Sequence, residues 1–123
     1  MRNEKKWKDQ FAERLVNFAV RIILLANMLP KTPAGFAIAN QLIKAATSIG
    51  ANFIEAQDAS SSKDFIQKLS ISLREARETW YWLTVIKKAG LLNGDMLDSE
   101  IIESEEIIAV FVKSIKSSKS KLV

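Results

Sequence analysis

The chain of 123 residues is 48% apolar or aromatic and carries 18 basic against 14 acidic residues, giving a net charge of +4 and a pI of about 9.4. That is enough apolar material for one compact domain spanning 1–123, and too much for a disordered segment. Neither Cys nor His occurs, which excludes disulfides, thiolate nucleophiles, His-based triads, structural zinc and the Glu-x-x-His di-metal sites of helical proteins. No cofactor or metal is expected.

Three interruptions divide the sequence. Pro30-Lys31-Thr32-Pro33, the stretch from Asp58 to Ser62 and the stretch from Ala89 to Gly94 leave four segments of helix length, about 7–29, 34–57, 63–89 and 95–118. In the first, Trp7, Phe11, Leu15, Phe18, Ile22, Leu25 and Leu29 recur at steps of three and four, which predicts one apolar stripe. Leu42, Ala46, Ile49, Phe53 and Ala56 predict the same in the second. For the third, the stripe reads Phe65, Leu69, Ser72 or Leu73, Ala76, Trp80 and Leu83, and for the fourth Ile101, Ile108, Phe111 and Ile115. Thr32 can cap the second helix with Pro33 at its first position, Ser62 precedes the third with Asp64 in its first turn, and Gly90 follows Lys87 and Lys88 at its end. Short connections between long helices predict an all-α fold, an up-down-up-down antiparallel four-helix bundle.

The third helix carries more apolar side chains than one stripe needs. At 100° per residue Ile71, Trp82, Val85 and Ile86 fall away from the core line, which predicts a subunit interface and hence a homo-oligomer in preference to a merely wide core stripe. A second line on the same helix is polar: Lys63, Gln67, Ser70, Arg74, Arg77, Tyr81, Thr84 and Lys88 include four cations, no acid and one ring. It is either a solvated face balanced by Glu75 and Glu78 or, through Lys63, Arg74, Arg77, Tyr81 and Lys88, a surface for phosphates with one ring for stacking. On the second helix Lys44, Ser48, Asn52 and Glu55 form a line opposite the apolar stripe, either solvated or hydrogen-bonded across a subunit contact.

Charge is segregated. Met1 to Arg21 holds six basic and three acidic residues, Asp95 to Val112 six acidic and no basic ones, and Lys113 to Val123 four lysines and no acid. Glu100, Glu103, Glu105 and Glu106 read as the acidic half of a helix stabilised by its macrodipole rather than as metal ligands, and Lys113, Lys116, Lys119 and Lys121 as a solubilising tail rather than an electrostatic arm. No glycine-rich phosphate loop or acid–base pair stands out, so an enzyme is not expected. The longest apolar run, Leu15 to Leu29, is interrupted by Asn17, Arg21 and Asn27 and is too short to span a bilayer. With no secretory signal visible, a cytoplasmic location without membrane partners is expected.

The run Lys44-Ala45-Ala46-Thr47-Ser48-Ile49-Gly50-Ala51-Asn52-Phe53-Ile54-Glu55, then Lys63-Asp64-Phe65-Ile66-Gln67-Lys68-Leu69, resembles the bacterial four-helix-bundle family first met in intervening sequences of the large-subunit ribosomal RNA gene. Leu73 to Leu83, with Glu78 inside it, and Ala89-Gly90-Leu91 are similar to one branch of that family. The chain departs from it in having Lys44 where many members have Arg and Ala56 where many have Gly. The resemblance implies a homopentamer without known enzymatic activity, and a distant likeness to the basic pentameric accessory protein of diversity-generating retroelements. Two functions follow as expectations: a non-catalytic nucleic-acid-binding or ribonucleoprotein accessory factor, with RNA or DNA as partner, or an oligomeric protein–protein adaptor docking through the acidic fourth helix or leftover apolar surface.

Overall fold

Residues 2–122, which the computed structural model describes, form four helices: α1 (Arg2–Ala26), α2 (Pro33–Ala56), α3 (Ser62–Ala89) and α4 (Asp95–Ser120). No strand occurs among the described residues. α1 starts earlier than the apolar periodicity alone indicates, because Glu4, Lys5, Lys6 and Lys8 are good helix formers and Glu4 sits at the positive end of the dipole. It also ends earlier, where Met28 and Leu29 tighten onto the carbonyls of Leu25 and Ala26 at 3.0 and 3.1 Å.

The predicted boundary chemistry is present with one shift. Thr32 is extended and its hydroxyl accepts from the Gly35 amide at 3.1 Å, with Pro33 at the first position. Gly35 is buried because the Pro30 carbonyl lies where a Cβ would be. The cap of α3 is Ser61, not Ser62: its hydroxyl accepts from the Asp64 amide at 3.1 Å, and the Asp64 carboxylate accepts from the Ser60 amide at 3.2 Å. That backbone bond, helped by Lys68, holds the Asp64 carboxyl below its ordinary range. At the far end Gly90 adopts φ +70°, which lets the Leu91 amide reach the Ile86 carbonyl at 3.1 Å while Leu91 packs on the core.

α2 packs on α3, α3 on α4 and α1 on α2; α1 and α4 also touch, but over a much smaller seam. Phe11, Phe53 and Phe111 meet edge to face at centroid distances of 5.1 to 6.0 Å and knit α1, α2 and α4 together. Near the middle of the α1–α2 contact a Cβ on Gly50 would stand 3.3 Å from Leu15 Cβ, so the absence of a side chain sets how closely these helices approach.

The stripes of α1 and α2 are buried as expected, except that Trp7 remains 45% exposed near the start of α1. α3 and α4 depart from expectation. The buried positions of α3 are Ile66, Leu69, Ser72, Ala76, Thr79, Leu83 and Ile86, and Trp80 points outward. These steps of three and four are on average shorter than the 3.6 residues of a turn, so the stripe drifts around the helix and reaches Ile86, which lies off the line through Phe65, Leu69, Ala76 and Trp80. Ser72 and Thr79 can occupy it because their hydroxyls donate to the carbonyls of Ile49 at 2.9 Å and Glu75 at 2.8 Å. On α4 the buried line is Leu97, Glu100, Ser104, Ile107, Phe111 and Ile115; Ile108 and Ile101 only flank it.

Assignment of Ile86 to a subunit interface is therefore corrected: it has no exposed surface and belongs to the subunit's own core. Trp82 leans on that core from the side, and Ile71 and Val85 are half-buried. More exposed apolar side chains lie elsewhere, at Val16, Val20 and Leu24 on α1, at Phe36 and Ile54 on α2 and at Ile102 and Val112 on α4.

Candidate nucleic-acid interface

Lys63, Arg74, Arg77, Tyr81 and Lys88 all emerge as exposed side chains along the outside of α3, together with Gln67 and Ser70; Thr84 is half-buried. Their spacing keeps them off the buried stripe, so the same periodicity that packs Leu69, Ala76 and Leu83 inward presents the cations outward. Among the described residues none of Lys63, Arg74, Arg77 and Lys88 forms an ion pair, whereas the adjacent Lys87 is bound to Asp98 at 2.8 Å.

Arg77 and Tyr81 come together with Trp80, Glu105 and Ile108 around an open groove of about 470 Å³ between α3 and α4. Trp80 donates its indole N–H to Glu105 Oε2 at 3.1 Å, and Tyr81 meets Trp82 edge-on at 5.0 Å. Sequence reading placed Trp80 in the core; the groove gives it a different role, a second ring beside Tyr81 with its polar edge already anchored. The indole N–H is the available signal, because a Trp needs a partner for it and prefers a site with one wet edge.

The acidic run on α4 is largely occupied within the chain. Arg14 forms a bidentate pair with Glu103 at 2.7 and 2.9 Å and reaches Glu106 at 2.9 Å. Arg21 forms another with Glu100 at 2.7 and 3.2 Å. Hydrogen bonds to Glu103 and Glu100 respectively, each outweighing the cost of partial burial, hold both guanidinium groups still further above their ordinary value. These two arginines are functional partners that sequence reading missed, since nothing local connects residues 14 and 21 with 100 to 106.

The polar line of α2 does not converge on a site. Ser48 donates to the Lys44 carbonyl at 2.7 Å and Asn52 to the Ser48 carbonyl at 2.8 Å, so both side chains turn back on their own helix, while Lys44 and Glu55 stay exposed. Glu78, on the α3 side of this contact, accepts a long bond of 3.4 Å from Trp82 Nε1. Burial first and the neighbouring Glu78 second push the Glu75 carboxyl above its ordinary value, with Arg74 and Lys44 opposing them.

No helix among the described residues is long and apolar enough to cross a membrane. No functionally curated protein matches the chain. A crystal structure of a protein of unknown function from the S23 ribosomal protein family of Bacteroides thetaiotaomicron is similar to it, with 37% identity over 85% of this chain and 97% of that one and a TM-score of 0.79. The family model described as 23S rRNA-intervening sequence protein matches residues 8–113. With helices, core and most of the chain accounted for by that match, the protein belongs to the 23S rRNA-intervening sequence protein family.

Proposed function

We propose that the protein is a non-catalytic nucleic-acid-binding or ribonucleoprotein accessory factor, an oligomer of up-down-up-down four-helix bundles that meets phosphates along α3. The observation that supports this reading is a contrast in charge. Lys63, Arg74, Arg77 and Lys88 keep their charge for solvent, while Glu100, Glu103 and Glu106 are held by Arg14 and Arg21. An adaptor docking through the acidic face of α4 needs those carboxylates free, so the adaptor reading is the weaker one. Tyr81 and Trp80 at the groove supply rings on which an unpaired base can stack, and Arg77 lies beside them.

Self-association belongs to the same proposal, with the pentamer as the preferred state by family resemblance. Its apolar contact is assigned to the exposed side chains of α1 and α2 rather than to α3, which leaves the cations of α3 repeated around the assembly. Repetition matters because a single helix with four cations binds weakly, whereas linked copies gain by avidity.

Fluorescence anisotropy with labelled single- and double-stranded RNA and DNA tests the reading. Log affinity is expected to fall linearly with log salt, by about 0.9 per neutralised phosphate on duplex DNA and about 0.7 on single strands. Arg74→Ala with Arg77→Ala should flatten that slope and leave the oligomer intact. Absence of binding to all four probes at low salt would refute the proposal in favour of the adaptor.

A further inference from the structure

The end of the molecule where α1 begins and α4 ends contains a cleft of about 680 Å³ that plays no part in the surface just described. Its floor is apolar, made by Trp7, Phe53, Phe65, Leu69 and Val110. Lys8, Lys113 and Lys121 stand around it against one acid, Glu4, and among the described residues none of these lysines forms an ion pair. The rim also carries Ser114, Ser117 and Ser118. Several other hydroxyls on these helices close onto carbonyls of their own turn, as those of Ser48, Ser70, Thr84 and Ser120 do. Among the described residues, these three donate no such bond.

Trp7 gives the cleft its specificity. Its indole lies nearly parallel to Phe11, at 5.3 Å and 14°, so one face is covered from below, yet 45% of the residue is exposed. Trp7 also meets Phe53 edge to face at 6.5 Å, and what remains exposed of this large, fixed ring borders the cleft, where another flat ring can stack on it. Lys8 lies 5.9 Å from the Phe65 centroid and brings a cation to the same floor.

We infer that this cleft binds a nucleotide, its base stacked on Trp7 and its phosphate taken by Lys113, Lys121 and the serine hydroxyls. The volume is within the range of small-molecule sites and ample for one nucleotide. An alkyl carboxylate would match the charges as well, but a chain of methylenes gains from enclosure on all sides, and this cleft is not an enclosed cavity. A base needs only its faces covered and tolerates wet edges. The same chemistry is offered by a free nucleotide and by the phosphorylated end of a strand. The inference does not rest on the α3 reading, since the two share no residue.

Titration calorimetry on the full chain with adenosine 5′-monophosphate, adenosine, inorganic phosphate and dodecanoate provides the test. Adenosine 5′-monophosphate is expected to bind at least tenfold more tightly than the other three. Trp7→Ala should weaken it by roughly five- to a hundredfold, the range measured for losing one stacked base, and Trp7→Phe by much less. Because Trp7 also supports Phe11, a second variant guards against a folding defect: Lys113→Gln with Lys121→Gln changes only exposed side chains. It should abolish the preference for the monophosphate over adenosine and leave adenosine unchanged. Arg74→Ala with Arg77→Ala should leave monophosphate binding as it is, which separates failure here from failure of the α3 surface. In that same variant, a 5′-phosphorylated oligonucleotide binding more tightly than the monophosphate identifies a strand end as the ligand, and the reverse order identifies a free nucleotide. No binding of the monophosphate at millimolar concentration, tighter binding of dodecanoate, or wild-type affinity in both Trp7→Ala and the lysine variant would overturn the inference.

Discussion

Arg21→Met isolates the charge that closes the small seam between α1 and α4. The Glu100 side chain keeps 7% of its accessible surface and Arg21 keeps 43%, so the pair is half wet, with two bonds of 2.7 and 3.2 Å. Breaking a fully buried pair costs about 3–5 kcal/mol because a charge is left uncompensated, and an exposed pair contributes about 0–1 kcal/mol. With the guanidinium half exposed, water can enter and solvate the orphaned carboxylate, so the expected loss is about 2 kcal/mol. Methionine keeps an unbranched aliphatic side chain, so the change is confined to the head group, which also lies 5.9 Å from the Phe18 ring centroid. For a chain of this size the loss corresponds to a fall in Tm of roughly 6–10 °C. Urea unfolding of Arg21→Met, Glu100→Gln and the double variant gives the coupling between the two side chains, expected at about 1.5 kcal/mol. A coupling below about 0.5 kcal/mol would refute the claim that this ion pair stabilises the seam.

Glu75→Gln should raise Tm at neutral pH. Burial and Glu78 lift the folded-state value of Glu75 above its ordinary 4.5, so the folded state holds the proton longer, stability falls as pH rises through that window, and the variant's gain should vanish below about pH 4 in a pH series of melts. Gly35→Ala should lower stability by about 1–3 kcal/mol in chemical denaturation despite alanine's better helix propensity, because the new Cβ collides with the backbone carbonyl of Pro30. Val20→Glu, at an exposed position of α1, should reduce the mass seen by light scattering while circular dichroism stays helical; Trp82→Glu, beside the core, should instead lower Tm.

Helix number and approximate limits were legible because the stops are chemical: Thr32 with Pro33 and Gly90 with its positive φ leave little freedom in where α2 begins and α3 ends. The stripes of α1 and α2 were legible because large apolar residues fill them without interruption. On α3 two hydroxyls, Ser72 and Thr79, take core positions that hydropathy assigns to bulkier neighbours; Thr79 is satisfied by the Glu75 carbonyl of its own helix, but Ser72 depends on the Ile49 carbonyl of α2, which only folding brings to it. Glu100 and Ser104 have the same effect on α4, which shifted the expected line from Ile107 to Ile108. The outward cations of α3 were readable as the complement of a stripe. Arg14 and Arg21 were not, because their partners lie on the last helix; the faint trace they leave is an arginine spacing of two turns facing an acidic run of similar length.

The order in which the helices touch has a consequence during synthesis. α2 lies against α1, α3 against α2 and α4 against α3, so each helix after the first finds a neighbour already made when it emerges from the ribosome. The contacts of α4 with α1, both the ion pairs and the packing of Phe11 on Phe111, join segments distant in sequence, and loop closure makes that step the slow one. A nascent chain thus carries Arg14 and Arg21 without their carboxylates until α4 arrives, presenting two extra cations to any polyanion nearby. In the finished protein the same seam, the smallest between touching helices, is the place to look for the earliest amide exchange.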